Sequence, residues 1–304
     1  GGQVCRAWVL RSSGLPPGSV PRGRGSHFTI FQYISVMQQR CLPVSGSESE
    51  SELESELESA RLLLVGAPKV VVLTGAGIST DSGIPDFRGP DGVWTRDPEA
   101  ERLATIDVYL ASEEVRGQAW ASRLSNPAWV AAPNAGHDCL ARFDRTGRLA
   151  LLVTQNVDGL HVLAGNDPAR VAEVHGSIRG AMCVSCTWRG PMVEVLDRVR
   201  SGEPDPACSA CGGVLKSTTV FFGEYLDQQL LDAAFEAAGS ADVLLAVGST
   251  LQVFPIASMV EVASGAGVPV VIVNGGPTGM DHLATHVIRG PISEVLPALL
   301  DEIH

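Results

Sequence analysis

The stretch Lys69-Val70-Val71-Val72-Leu73-Thr74-Gly75-Ala76-Gly77-Ile78-Ser79 decides how this chain of 304 residues folds. A run of β-branched residues without polar alternation reads as a strand buried on both faces, and it leads straight into two glycines. Glycines at 75 and 77 permit a tight turn and a close backbone approach to a phosphate, and a helix N-terminus there would favour an anion. A plain strand-to-helix turn uses the same residues, and the third glycine of the usual dinucleotide fingerprint is missing. Short apolar runs at Leu149–Thr154, Asp242–Val247 and Pro269–Val273 read as further strands. Helical stretches such as Leu226–Ala238 and Ile256–Ala263 lie between them. This alternation predicts an α/β fold, a parallel sheet covered by helices on both faces.

Each strand runs into polar or small residues. Thr154-Gln155-Asn156-Val157-Asp158-Gly159-Leu160-His161 follows the second, Gly248-Ser249-Thr250 the third and Asn274-Gly275 the fourth. Taken singly, Asn and Asp can simply cap helices. Together, the four strand ends offer groups suited to phosphate and ribose along the edge where open α/β sheets bind ligands. Downstream of the first turn, Asp81-Ser82-Gly83-Ile84-Pro85-Asp86-Phe87-Arg88-Gly89 is polar and turn-rich, which suits a loop closing over a ligand.

The alternation is interrupted at about 176–216 by Cys183-x2-Cys186 and Cys208-x2-Cys211, a spacing suited to a four-sulfur zinc site. Two disulfides or free thiols are the other uses of these residues; the spacing favours zinc. A zinc closed by four cysteines has no open position, so it is structural. The remaining cysteines, Cys5, Cys41 and Cys139, are scattered, which suits a reducing compartment. The net charge of −12 argues against a nucleic-acid partner met through a basic face, and no apolar run is long enough to span a membrane.

Residues 1–59 read as a disordered, non-native or targeting extension. The stretch 1–47 holds five Arg and no Asp or Glu, and 47–59 is the acidic repeat SESESELESELES. Such a composition leaves a cytoplasmic location as the expectation, with the mitochondrial matrix as the alternative if the Arg-rich stretch is a transit peptide. Leu53, Leu57, Arg61 and Leu64 suggest a helix stopped by Gly66 and Pro68.

Taken together, GAGIS (75–79), SGIPDFRG (82–89), TQNVDGLH (154–161), HG (175–176), the cysteine quartet, FFGE (221–224), GSTLQVFP (248–255) and VN (273–274) resemble the sirtuin family of NAD-dependent protein deacylases. The resemblance covers 60–304. It implies a Rossmann-like core at about 60–90, 140–175 and 217–304, a helical insertion at about 91–135 and a zinc module at about 176–216. NAD is then expected between core and module, with Gly75, Ala76, Gly77, Gly248 and Ser249 at its phosphates. Asn274 would meet the adenosine ribose and Gln155 the nicotinamide ribose. Ile84, Asp86, Asn156 and Asp158 would line the nicotinamide pocket, and Phe87 and Arg88 would belong to the cofactor loop. His175 matches the catalytic base, assisted by Asn156. Val220, Phe221, Gly223, Val253 and Phe254 match the walls that hold an acylated lysine of a protein substrate. One zinc ion at Cys183, Cys186, Cys208 and Cys211 completes the expected set.

The implied reaction moves the acyl group from lysine to ADP-ribose and releases nicotinamide. The acyl oxygen attacks the ribose carbon, a site Phe87 would shield from water, and a histidine suits the deprotonation of a ribose hydroxyl. Mono-ADP-ribosyl transfer from NAD is the alternative activity. A non-catalytic zinc-ribbon binding module is a more distant one. The other histidines carry no claim as catalysts, and His161 is expected to have a structural place beside the nicotinamide loop. Two departures stand out. The family commonly has Gly-Thr-Ser where this chain has Gly248-Ser249-Thr250. Members that remove succinyl or malonyl groups share a Tyr-x-x-Arg pair, whose nearest counterpart here is Trp120-Ala121-Ser122-Arg123. With Trp in place of Tyr, this segment reads as an ordinary amphipathic helix with Trp in the core. Gly92-Val93-Trp94 and RGPISEVLP (289–297) look like the branch with mitochondrial and bacterial members, which leaves neutral, longer acyl groups open. The oligomeric state is not legible.

Overall fold

The computed structural model describes residues 46–86, 92, 100–301 and 303, and the compact unit runs from Ser47. Its centre is a sheet of six strands, all paired in parallel, in the order β3-β2-β1-β7-β8-β9. The strands are β1 Val70–Thr74, β2 Leu149–Thr154, β3 Val171–Glu173, β7 Val243–Val247, β8 Val270–Val273 and β9 His286–Ile288. Every residue of β1, β7 and β8 is buried. Side chains of successive strand residues point to opposite faces, so both faces need cover.

One face packs Val70, Val72, Leu245 and Val271 against Ala60, Leu64, Leu140 and Leu296, which lie on α1 (Gly46–Gly66), α5 (Ala135–Arg145) and α10 (Ile292–Leu300). The other packs Val71, Leu73, Leu244 and Ile272 against Leu231 and Ala234 of α8 (Gln228–Gly239) and Val260 of α9 (Met259–Gly265). A fully buried Leu or Val side chain contributes about 1.5–3 kcal/mol. The parallel sheet with helices on both faces is the architecture the apolar runs predict. β3 and β9 are edge strands of three residues each, too short to show a period.

The boundary expected at residue 59 falls inside α1. The acidic repeat is helical, and Glu56 Oε1 accepts hydrogen bonds from Val287 N at 3.2 Å and His286 Nδ1 at 3.0 Å. Low-complexity composition hides such a helix, whose buried face at Ala60 and Leu64 lies beyond the repeat. The expected Ile256–Ala263 helix is a 3-10 turn at Ile256–Ser258 followed by α9.

The segment between β3 and α8 forms a second, antiparallel sheet ordered β5-β4-β6, with β4 Gly180–Cys183, β5 Arg189–Pro191 and β6 Leu215–Ser217. Its own core joins Ala181, Cys183 and Leu215 to Met192, Val195 and Leu196 of α7 (Met192–Arg200), and to Trp120 of α4 (Glu113–Leu124). Two short helices, α2 Ala100–Leu103 and α3 Ile106–Ala111, precede α4. Between β2 and β3, α6 (Leu160–Ala164) is a helix of five residues. None of the described helices is long and apolar enough to cross a membrane.

Candidate active site

The C-terminal ends of β1, β2, β7 and β8 converge on one cavity of about 1260 Å³. After β1 the chain turns at Gly75 into a 3-10 helix at Ala76–Ser82. With seven residues this is shorter than the helix expected after such a turn, so a helix dipole is not its main contribution. The glycines serve close approach instead. Gly75 N donates to the carbonyl of Val247 and Gly77 N to that of Gly248, at 2.9 and 2.8 Å. Gly248 has φ of 65°, and a Cβ there would lie 2.5 Å from Ile78 N. Gly248→Ala is therefore expected to cost about 3 kcal/mol or more, seen as a lowered denaturation midpoint with an unchanged slope.

Of the sequence-predicted positions, Ala76, Gly77, Asp86, Gln155, Asn156, His175, Gly248, Ser249 and Asn274 line this cavity, as do Val220, Phe221, Gly223, Val253 and Phe254. Gly75, Ile84 and Asp158 do not line it. Asp158 is buried just behind, where its Oδ2 accepts from Ser79 Oγ at 2.9 Å. Phe87 and Arg88 lie outside the described residues. His161 is buried as expected, against Thr74.

His175 follows β3, and its Nδ1 lies 2.9 Å from the carbonyl oxygen of Gln155. A carbonyl only accepts, so Nδ1 carries the proton and Nε2 is the basic nitrogen. Gly176 follows with φ of 75°, and a Cβ there would stand 2.1 Å from the Thr218 carbonyl oxygen. That contact, with Val220 N donating to the His175 carbonyl at 2.8 Å, ties the histidine to the Thr219–Gly223 wall. Asn156 Nδ2 donates to the Gly75 carbonyl at 3.2 Å and to Ser79 Oγ at 3.1 Å.

The donor set fits a dinucleotide. Gln155 Oε1 accepts from Ser249 Oγ at 3.2 Å, while its buried Nε2 has no partner among the described residues. An unpaired buried amide donor costs about 1–3 kcal/mol and is satisfied by a ligand oxygen such as a ribose hydroxyl. The cavity also exceeds the usual range for small-molecule pockets, roughly 300–1,000 Å³, as room for a dinucleotide and an extended side chain requires.

The metal set fits as well. The sulfurs of Cys183, Cys186, Cys208 and Cys211 all lie within 4.8 Å of one another, with Cys183 to Cys211 at 3.5 Å and Cys186 to Cys208 at 3.8 Å. Four Zn–S bonds of about 2.3 Å in a tetrahedron put sulfurs about 3.8 Å apart.

Sequence reasoning raises Arg123 as the counterpart of a carboxylate-binding arginine but favours an ordinary amphipathic helix, and the structure corrects that. Trp120 is in the core, as the amphipathic reading has it, but Arg123 turns inward and lines the cavity beside Ser217 and Thr219. Its guanidinium lies over the rings of Trp120, Phe221 and Tyr109 at 5.1–5.8 Å, and Nη2 is 3.4 Å from Ser217 Oγ. Nη1 is buried without a partner among the described residues. Burial lowers its pKa, and no carboxylate pairs with it among the described residues. The W-x-x-R spacing was the available signal. Periodicity could not tell an inward arginine from one at the surface.

Fold and site define an α/β protein with a dinucleotide-sized cavity at the strand ends and a separate module that carries a four-cysteine cluster. The Sir2 family model matches residues 75–255. NAD-dependent protein deacetylase 2 of Streptomyces coelicolor is 49% identical over 237 residues, covering 78% of this chain and 98% of the relative. NAD-dependent protein deacylase 2 of Pyrobaculum aerophilum is 40% identical over 241 residues, covering 79% and 93%. Among solved structures, Sir2 bound to acetylated peptide superposes with a TM-score of 0.72 at 30% identity, covering 81% of this chain and 98% of that one. A Sir2 complex with a p53 peptide and NAD+ gives 0.70 at 32% identity, covering 79% and 95%. The chain belongs to the Sir2 family, the sirtuins.

Proposed function

We propose that this protein is an NAD-dependent protein lysine deacylase that transfers the acyl group to ADP-ribose and releases nicotinamide. The observation that carries this reading is the meeting, in one cavity, of a tautomer-fixed His175 with the glycine turns and the unpaired Gln155 donor. NAD supplies a ribose carbon made electrophilic by departure of nicotinamide. The chain's own residues do the rest. Ala76, Gly77, Gly248 and Ser249 form a close-packed seat for the phosphates, and Asn274 takes the adenosine ribose. Asp86 and Asn156 line the nicotinamide end, and Asp158 supports it from behind through Ser79. His175 Nε2 takes a proton from a ribose hydroxyl, while its Nδ1–H stays on the Gln155 carbonyl and fixes the ring. Val220, Phe221, Gly223, Val253 and Phe254 hold the acyl-lysine side chain and its peptide. The four cysteines hold zinc, which braces the module and takes no part in the chemistry.

Arg123 bears on the acyl group. A buried guanidinium with Nη1 unpartnered and no carboxylate beside it among the described residues is unfavourable, and a carboxylate ligand relieves it with charge-assisted hydrogen bonds. The site therefore accepts acyl chains that end in a carboxylate. Incubation with NAD and matched acetyl-, octanoyl- and succinyl-lysine peptides tests both readings. NAD-dependent deacylation of any of them supports the activity, and none at all refutes it. Arg123→Met is expected to cost the succinyl peptide about 10- to 100-fold in kcat/KM, with the acetyl peptide little changed. Equal loss on both peptides would remove the carboxylate assignment.

A further inference from the structure

Behind the cavity lie two buried histidines that line none of it but connect, through hydroxyl side chains, to Asn156, which does. Their ring centroids are 5.0 Å apart. Each ring's tautomer follows from its partners. Ser79 Oγ gives its one proton to Asp158 Oδ2 and accepts from Asn156 Nδ2. Its contact with His137 Nε2, at 3.4 Å, can therefore only be another acceptance, which puts the proton on Nε2. The other side of the ring agrees: Asn134 N donates toward Nδ1 at 3.4 Å, which requires a bare nitrogen there. Likewise Thr74 Oγ1 gives its proton to Thr154 Oγ1 at 2.8 Å, so His161 Nε2, at 2.9 Å, must donate. His161 Nδ1 is then a bare lone pair, and it has no partner among the described residues. Thr154 Oγ1 in turn accepts the backbone N–H of Asn156 at 3.1 Å. One relay reaches the Asn156 side chain and Asp158, and the other reaches the Asn156 backbone.

We propose that His137 is a positioning residue of the reaction, whose Nε2–H sets the Ser79 hydroxyl and through it the directions of the Asn156 amide and the Asp158 carboxylate. With Nδ2 committed to Gly75 and Ser79, the Asn156 amide has a single orientation, and its oxygen is the atom left for a ligand. Only a neutral imidazole does this, because a second ring proton would oppose Asn134 N–H. The surroundings keep it neutral: burial brings His137 down to about 4 against the opposing pull of Asp158 and Asp138. Burial and the neighbouring His137 bring His161 down to about 3.

The inference rests on the deacylase reading, so wild-type turnover of an acyl peptide with NAD is measured first; its absence would fail that reading and not the relay. Given turnover, His137→Phe, which keeps a ring but no donor, is expected to lower kcat about 10- to 100-fold. The KM for acyl peptide should stay within about twofold, and product inhibition by nicotinamide should weaken. His137→Gln, whose amide nitrogen can replace Nε2–H, should recover most of both. A purely structural histidine would give neither the selective loss nor the rescue, and that outcome would overturn the proposal. The wild-type full chain gives a second readout that needs no variant to fold. With ¹⁵N-histidine labelling, the His137 ring should show the neutral Nε2–H tautomer from pH 8 down to about 5. A ring that titrates near the ordinary histidine value of about 6.5, or carries Nδ1–H, would overturn it equally.

Discussion

His175→Ala should lower kcat for NAD-dependent deacylation by about 100- to 10,000-fold, the usual contribution of a positioned general base. The loss should come with little change in melting temperature, because the ring is only half-buried. ADP-ribose should still bind, since Gln155, Ser249 and the glycine turns are untouched. His175→Asn separates two contributions. Asn can keep the hydrogen bond to Gln155 yet offers no base near neutrality, so it should be as inactive as Ala. Activity that persists in both variants, followed as nicotinamide release and deacylated peptide by mass spectrometry, would remove His175 from the reaction.

Removal of the metal should have an effect as large, by another route. The antiparallel sheet has strands of three and four residues and a small core in which Cys183 and Cys208 are themselves members. So little buried area cannot hold the module alone, whereas a structural zinc contributes about 10–16 kcal/mol in isolated peptides. Cys208→Ser, or a strong chelator, should therefore release zinc, lower the Tm by on the order of 10 °C and abolish activity. Loss of activity follows because β6 runs from the cysteine site into the cavity wall: Ser217 ends the strand, and Thr219 to Gly223 come next. Hydrogen exchange distinguishes local from global failure. The module and the 217–223 wall should lose protection while β1, β7 and β8 keep theirs. Unchanged melting and full activity after metal removal would show that the cysteines brace nothing.

The parts legible in the sequence are those where one physical requirement leaves one pattern. Strands buried on both faces must be apolar throughout, so β1, β2, β7 and β8 stood out within a residue of their ends. Four thiolates around one ion need paired knuckles, and the cysteine spacing shows them. Catalytic side chains at strand ends follow from the open edge of a parallel sheet. Other parts carry no local pattern. The edge strands β3 and β9 form because a neighbour offers free carbonyl and amide groups, not because of their own residues. The start of α1 is hidden by its low-complexity acidic composition. Arg123, set aside for an amphipathic helix, and His137, given no role, share a reason: whether a polar side chain faces solvent, cavity or a buried partner depends on contacts far along the chain. His137 meets Ser79, and Arg123 meets Ser217.

The central claim is tested most directly by product identification. The wild-type chain, an acyl-lysine peptide and NAD are combined, and every product is weighed by mass spectrometry. The expected result is free lysine peptide, nicotinamide and O-acyl-ADP-ribose in equal amounts. ADP-ribose attached to protein with the acyl group still on lysine, or no consumption of NAD, would contradict it.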